Sequence, residues 1–246
     1  MELKLVFSDF DGTLTHGQEL TPVFFDVLDL LTKKKIPLII VTGRSKSWAH
    51  FFLTHIENIP YVISEGGGVI SSKNHIAGRN LLSDHLMVPE IEVRRLEHFT
   101  EALKKRFPDI LLSVDSFGRH TDRAIELSYL EANEERAQSI KEFLELENIN
   151  YSCSNVHLNY WCGDISKYTA VKHLLVNTLK IDEESCIYFG DAPNDQTMFE
   201  HFDNSVGVSN LKEFEAQLSY KPSIILEGHQ NEGPSGVFNH LTSILK

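Results

Sequence analysis

The spacing of apolar and polar positions changes character twice along the chain. In the first third, short, largely apolar runs cover residues 3–8, 37–41 and 61–64, and each stops abruptly in turn-forming residues. That is the pattern of strands buried on both faces. Between the first two, Pro22 opens a helix over residues 21–34 whose apolar set Val23, Phe24, Val27, Leu28, Leu30 and Leu31 keeps to one face. Ser45 or Ser47 caps a second helix reaching residue 57, and a hairpin is expected over residues 69–77.

The middle third reads differently. A charged amphipathic helix over residues 88–107 is followed by strands at 110–115 and 124–130, joined by the polar loop 116–123. A helix over 133–147 and strands at 150–154 and 156–162 complete an α-β-β-α-β-β unit. After Gly163 the first rhythm resumes: a helix over 167–179, a strand at 186–189, a helix, a strand at 205–208, a helix near 211–218, a short strand at 223–226 and a last helix after Pro234. The expectation is an α/β protein: a doubly wound parallel sheet from residues 1–84 and 165–246, interrupted by a small α+β cap over residues 85–164.

Composition narrows the function. A length of 246 residues suits one sizeable core plus a small insert. A net charge of -12 argues against nucleic acid or an anionic membrane as main partner, though not against a small anionic substrate. Three cysteines without a CxxC pair fit a reducing compartment. The first residues lack the pattern of a signal peptide, and no apolar run approaches about 18 residues. The expectation is a soluble cytoplasmic protein, as monomer or homodimer.

Polar motifs fall where the strands end. Asp9 and Asp11 follow the first strand two residues apart, so an extended chain points both to one side. Thr42-Gly43-Arg44 follows the second strand, and Gly190-Asp191-Ala192-Pro193-Asn194-Asp195 follows the strand at 186–189, while Lys167 opens a helix. In a doubly wound sheet the carboxyl ends of the strands line one crevice, so these groups converge. Four carboxylates, Asp9, Asp11, Asp191 and Asp195, would then share a pocket, at roughly 4 kcal/mol for each like-charge pair about 4 Å apart. Lys167 alone does not offset that; a divalent cation does, and hard oxygen ligands favour Mg2+. A cation, a lysine, a threonine hydroxyl and backbone amides together hold a phosphoryl group, which one carboxylate can attack while another carries the proton. An EF-hand is excluded by register, with Gly12 at loop position 4 and Leu20 at position 12. No P-loop, nucleophile elbow or dinucleotide fingerprint occurs.

These four motifs, in this order, resemble those of the haloacid dehalogenase superfamily, and their spacing is similar to its class IIB, or Cof-type, branch, whose cap lies between the second and third motifs. Ser166-Lys167-Tyr168-Thr169-Ala170-Val171, Met198 and Val206-Gly207-Val208-Ser209-Asn210 add to the likeness. The resemblance implies a magnesium-dependent phosphatase of a small phosphorylated metabolite, a sugar or polyol phosphate, acting through an aspartyl phosphate. Alternatives are a phosphomutase or a non-catalytic metabolite-binding module. It implies Asp9 as nucleophile and Asp11 as general acid/base. Thr42, Gly43, Lys167 and Asn194 would hold the phosphate. Asp9, Asp191, Asp195 and the backbone carbonyl of Asp11 would serve the metal. One departure stands out: Gly66 occupies the place where the family's Glu-Asn-Gly-Ala stretch has Asn.

In the insert, alternation assigns Ile110, Leu112, Val114, Ile125, Leu127, Tyr129, Val156, Leu158 and Tyr160 to a face packed on the cap helices. Ser113, Asp115, Glu126, Ser128, His157, Asn159 and Trp161 fall on the other face. Substrate contacts are expected from Arg123, His157, Asn159 and an exposed Trp161, whose ring would lie flat against a sugar. Arg119 is a further candidate for a carboxylate or second phosphate.

Overall fold

The computed structural model describes residues 2–76, 79–153 and 157–245. The strands β1 (Leu5–Ser8), β2 (Leu38–Val41), β3 (Tyr61–Ser64), β4 (Val69–Ile76), β5 (Arg79–Leu86), β9 (Cys186–Gly190), β10 (Ser205–Gly207) and β11 (Ile224–Ile225) form one sheet in the order β11-β10-β9-β1-β2-β3-β4-β5. From β11 to β3 the strands are parallel; β4 runs antiparallel to both β3 and β5. A second sheet of three antiparallel strands has the order β6-β8-β7, from β6 (Asp122–Glu126), β7 (Asn150–Cys153) and β8 (His157–Trp161).

Alternation along the parallel strands builds the core on both faces. Val6, Leu38, Ile40, Val62 and Phe189 pack against α1 (Pro22–Lys34), α2 (Lys46–His55) and α8 (Gly233–Ile244). Leu5, Phe7, Ile39, Val41, Ile63 and Tyr188 pack against α6 (Lys167–His173) and α7 (Gln196–His201). Pro22 starts α1 without losing a hydrogen bond, and Lys35 ends it in the left-handed region at φ 58°. On the small sheet, Ile125, Leu158 and Tyr160 pack against α3 (Glu90–Arg106) and α5 (Glu134–Leu146), the latter capped by the Asn133 side chain.

The doubly wound expectation is met, and the insert departs from it in detail. Of the expected strand at 110–115, Leu112 alone makes a bridge, to Ile125; the chain then turns into a 3-10 helix at Val114–Gly118, leaving Val114 91% exposed instead of in the core. The expected strand at 124–130 ends at Glu126, and α4 (Leu127–Glu131) takes over, so Leu127, Ser128 and Tyr129 are helical. The hairpin expected over 69–77 is longer: β4 pairs with β5, a strand not anticipated, which extends the large sheet to Leu86. Ala77, Ser154 and Val156, where expected strands ended or began, lie outside the described residues.

Candidate active site

The sequence passes from β1 outward through β2 and β3, and later from β9 outward through β10 and β11. The order therefore reverses between β1 and β9, the place where doubly wound sheets open a crevice at their strand ends. Asp9 follows β1 and Asp191 follows β9, with the Asp9 amide donating to the Phe189 carbonyl at 2.8 Å. Among the described residues, carboxylate oxygens of Asp9, Asp191 and Asp195 lie within 4.8 Å of one another, all buried.

Lys167 reaches this group because Ser166 caps α6. The Ser166 hydroxyl accepts from the Thr169 amide at 3.1 Å and the Thr169 hydroxyl accepts from the Ser166 amide at 2.9 Å, a reciprocal box that fixes Lys167 at the first helical position. Its ammonium donates to Asp9 Oδ1 and Asp195 Oδ1, both at 2.6 Å. Burial alone would push that ammonium's pKa down, but Asp195 and Asp9 outweigh it and hold it charged. One cation does not balance the group. Burial raises the Asp9 carboxyl to about 7, Asp195 adds to the rise, and Lys167 only partly opposes it.

The acids are not equivalent. Asp195 Oδ1 accepts from Lys167 and from the Tyr188 hydroxyl at 2.5 Å, while its Oδ2 accepts from the Asp191 and Ala192 amides at 2.9 and 3.1 Å. It thereby fixes the shape of the loop that carries Asp191. Asp191 accepts from the Thr13 hydroxyl at 2.8 Å and the Asn210 amide nitrogen at 2.9 Å. Asp11 does not join the trio, which corrects the expected cluster of four. Arg44 donates to both its oxygens, Nε to Oδ2 at 2.8 Å and Nη2 to Oδ1 at 2.6 Å, and stacks over Trp48 with 4.8 Å to the ring centroid. Thr42 is buried, its hydroxyl accepting from the Arg44 amide at 3.0 Å.

A cavity of about 250 Å3 opens beside these groups, its walls including Gly43 and Asn194 from the strand ends, Lys167 from the start of α6, and Ser152, Asn159 and Trp161 from the small sheet. A larger cleft of about 540 Å3 near Gly12, His16 and Glu232 is lined by none of Asp9, Lys167 or Asn194. The smaller one is the candidate site: Asp9 lines neither, but Lys167, which pairs with Asp9 and Asp195, and Gly43 and Asn194 line the smaller one. Gly66 also lines it, at φ 64° with no atom within 4 Å of a Cβ built there.

The polar face of the small sheet is turned onto the large one. His157 and Asn159 are buried, and Asn159 donates to the Gly43 carbonyl at 3.3 Å and to Asp122 at 2.7 Å. His157 faces Glu126 at 3.6 Å, its imidazole kept towards the neutral form by burial and by Arg119, and it does not line the cavity. Trp161 is half-buried, not exposed, packed beside Val88, Val93 and Ile165. Arg123 donates to the His120 and Asp122 carbonyls and lies away from the cavity walls. Arg119, a candidate for binding a carboxylate or second phosphate, is instead buried and paired with Asp115 and Asp122, with a further bond to the Gly43 carbonyl at 2.9 Å.

Several residues that build the site were quoted in the motifs without a role. Glu65, at φ 54° just past β3, accepts from the Lys46 amide through Oε1; its Oε2 accepts from the His120 amide and from the Thr121 amide and hydroxyl. The signal available was an acid at a strand end followed by glycines: Gly67 and Gly68 leave no room for a Cβ against Ser166 and Thr121. Arg44, Tyr188 and Asn210 carried no such signal.

The comparisons agree with the motifs. The family model of haloacid dehalogenase-like hydrolases matches residues 6–117 and 83–214. The chain belongs to this family. It is 25% identical over 218 residues to a phosphoglycolate phosphatase of Methanobrevibacter smithii, covering 87% of this chain and 89% of that one. It is 24% identical over 277 aligned positions to a glucosyl-3-phosphoglycerate/mannosyl-3-phosphoglycerate phosphatase of Methanococcoides burtonii, covering 98% and 97%. The sucrose-phosphatase of Synechocystis sp. PCC6803, solved with sucrose and phosphate, shares the fold with a TM-score of 0.69 at 15% identity, covering 99% of this chain and 98% of that one.

Proposed function

We propose that the protein is a magnesium-dependent phosphatase of a small sugar or polyol phosphate, acting through an aspartyl phosphate on Asp9. The observation that carries this reading is the buried trio Asp9, Asp191 and Asp195 at the strand ends with the Lys167 ammonium between two of them. The donor set fits a hard divalent cation: all oxygen, buried, and two positive charges short of neutral when all three acids are ionised, in keeping with the raised Asp9 carboxyl. Asp9 and Asp191 would hold Mg2+, with Asp195 keeping their loop in shape; when bound, the ion neutralises the charge of the phosphoryl group. Phosphatase activity in the relatives named above supports the same reading, as does the cap-like position proposed for residues 85–164.

In the proposed chemistry, Thr42, the Gly43 amide, Asn194 and Lys167 orient the phosphoryl group. An Asp9 oxygen attacks phosphorus, and the bond from phosphorus to the leaving oxygen breaks as Asp11 supplies that oxygen with a proton. Water then attacks the acyl phosphate, Asp11 accepts its proton, and inorganic phosphate leaves. Arg44 holds Asp11 through both carboxylate oxygens in this structure, so Asp11 carries the proton it supplies only once that pair opens.

The test is phosphate release with Mg2+ over sugar, polyol, nucleotide and phosphoglycerate esters. Asp9→Asn is expected to release no phosphate above background, and chelation to silence the wild type reversibly. Sustained turnover by Asp9→Asn, or with excess chelator, would sink the mechanism.

A further inference from the structure

The oxygen of Asp195 that holds Lys167 holds a second donor as well. The Tyr188 hydroxyl donates to Asp195 Oδ1 at 2.5 Å, and the Lys167 ammonium donates to the same atom at 2.6 Å. Both lone pairs of Oδ1 are thereby taken, while Oδ2 takes the Asp191 and Ala192 amides. The phenol is held in its turn: its ring is fully buried and lies edge-on to Phe199, with ring centroids 6.2 Å apart. Gly190 lies two residues along β9, on the same side of the strand, and leaves the space into which the carboxylate fits. A Cβ there would stand 2.5 Å from Asp195 Oδ2. Tyr188 does not line the cavity, so any part it plays in the chemistry runs through Asp195.

An ammonium has three donors, and two of those on Lys167 go to Asp9 and Asp195. In the proposed chemistry the third is the one offered to the phosphoryl group. The ammonium then lies between rival anions, Asp195 on one side and the phosphoryl oxygens on the other. Once an Asp9 oxygen has bonded to phosphorus, Asp9 is an acyl ester and no longer a full carboxylate. Asp195 is then the carboxylate that decides where the ammonium sits. A phenol on Oδ1 offsets part of that oxygen's charge and fixes its position. Without the phenol, Oδ1 turns both lone pairs to Lys167 and draws the ammonium away from the phosphoryl group.

We infer that Tyr188 is a positioning residue for phosphoryl binding, acting through Asp195 Oδ1 to keep the Lys167 ammonium directed at the substrate. This rests on the phosphatase reading above and adds to it a residue from outside the four motifs.

Tyr188→Phe removes the hydroxyl and keeps the ring. Binding of inorganic phosphate at saturating Mg2+, followed by calorimetry, is expected to weaken about tenfold, the effect of one lost hydrogen bond to a charged group. KM for p-nitrophenyl phosphate should rise by a similar factor, with kcat changed far less. Binding of Mg2+ alone should stay within about twofold, because Oδ2 keeps the amides that shape the Asp191 loop. In Lys167→Gln, where the ammonium is gone, adding Tyr188→Phe should weaken phosphate binding no further. Unchanged phosphate binding in Tyr188→Phe, or phosphate and Mg2+ binding that fall together, overturns the inference, since the hydroxyl would then be dispensable or merely structural. An equal further loss in the Lys167→Gln background overturns it too, and each of these results leaves the phosphatase reading standing. A wild type that neither binds phosphate with Mg2+ nor releases it from p-nitrophenyl phosphate overturns both.

Discussion

Asp9 is pulled in opposite directions: burial and Asp195 raise its carboxyl to about 7, and the Lys167 ammonium works against them. A carboxyl raised in the folded state keeps a proton that the unfolded chain has already released. Its stabilising contribution to the metal-free protein is full below the ordinary value near 4 and disappears as pH rises through about 7. The same proton competes with Mg2+ for the site. The Mg2+ concentration giving half-maximal activity is therefore expected to rise as pH falls below 7, by up to about tenfold per pH unit for one displaced proton. Magnesium titrations of phosphate release between pH 5.5 and 8 check this, and a requirement independent of pH would show that Asp9 does not hold the ion.

Where β3 ends, one glutamate fastens the segment ahead of β6. Glu65 is buried and gathers three backbone amides and a hydroxyl, which gives each of those four donors an acceptor. Glu65→Gln keeps one oxygen but turns an NH2 group towards a donor, at a cost of about 1–3 kcal/mol. For a chain of this length that lowers Tm by roughly 2–4 °C per kcal/mol. A melt indistinguishable from wild type would show that the glutamate is not needed as an anchor. The elements on which such contacts depend were legible in proportion to their burial. β1, β2, β3 and β9 are enclosed on both faces, so their sequences are largely apolar runs that stop where the chemistry starts. β5 carries Arg79, Asn80, Ser83, Asp84 and His85 at the sheet edge, and its polarity concealed it. The 124–130 segment misled for another reason: Ile125, Leu127 and Tyr129 fit a period of two, yet α4 also buries Leu130, so the chain leaves the strand after Glu126. Of the four acids expected to share one pocket, Asp9, Asp191 and Asp195 come together, while Asp11 pairs with Arg44; spacing in sequence says nothing of which cation reaches an acid.

Across the whole molecule, buried charge helps tie the small sheet to the large one, with Arg119 at the centre. Its side chain is fully buried, pairs with Asp115 and Asp122, and reaches the Gly43 carbonyl on the phosphate-binding loop proposed above. The two acids respond to pH in opposite senses. Burial would raise Asp115, but Arg119 overrides it and holds the carboxyl at about 2, so its contribution of about 2 kcal/mol is present above pH 4 and lost as pH falls towards 2. Asp122, raised to about 6 chiefly by burial, contributes below pH 4 and loses that contribution as pH rises through 6. Arg119→Met removes the cation and keeps most of the packing volume. Leaving these carboxylates unpaired is expected to cost about 3–5 kcal/mol near neutrality. Both carboxyls then rise, so the variant takes up protons in a range where the wild type does not, and acid offsets part of its loss. The Tm gap between Arg119→Met and wild type should be widest at pH 8 and clearly narrower at pH 5. Equal gaps at the two pH values would mean that Arg119 joins the sheets by packing alone, and that its charge contributes nothing to holding them together.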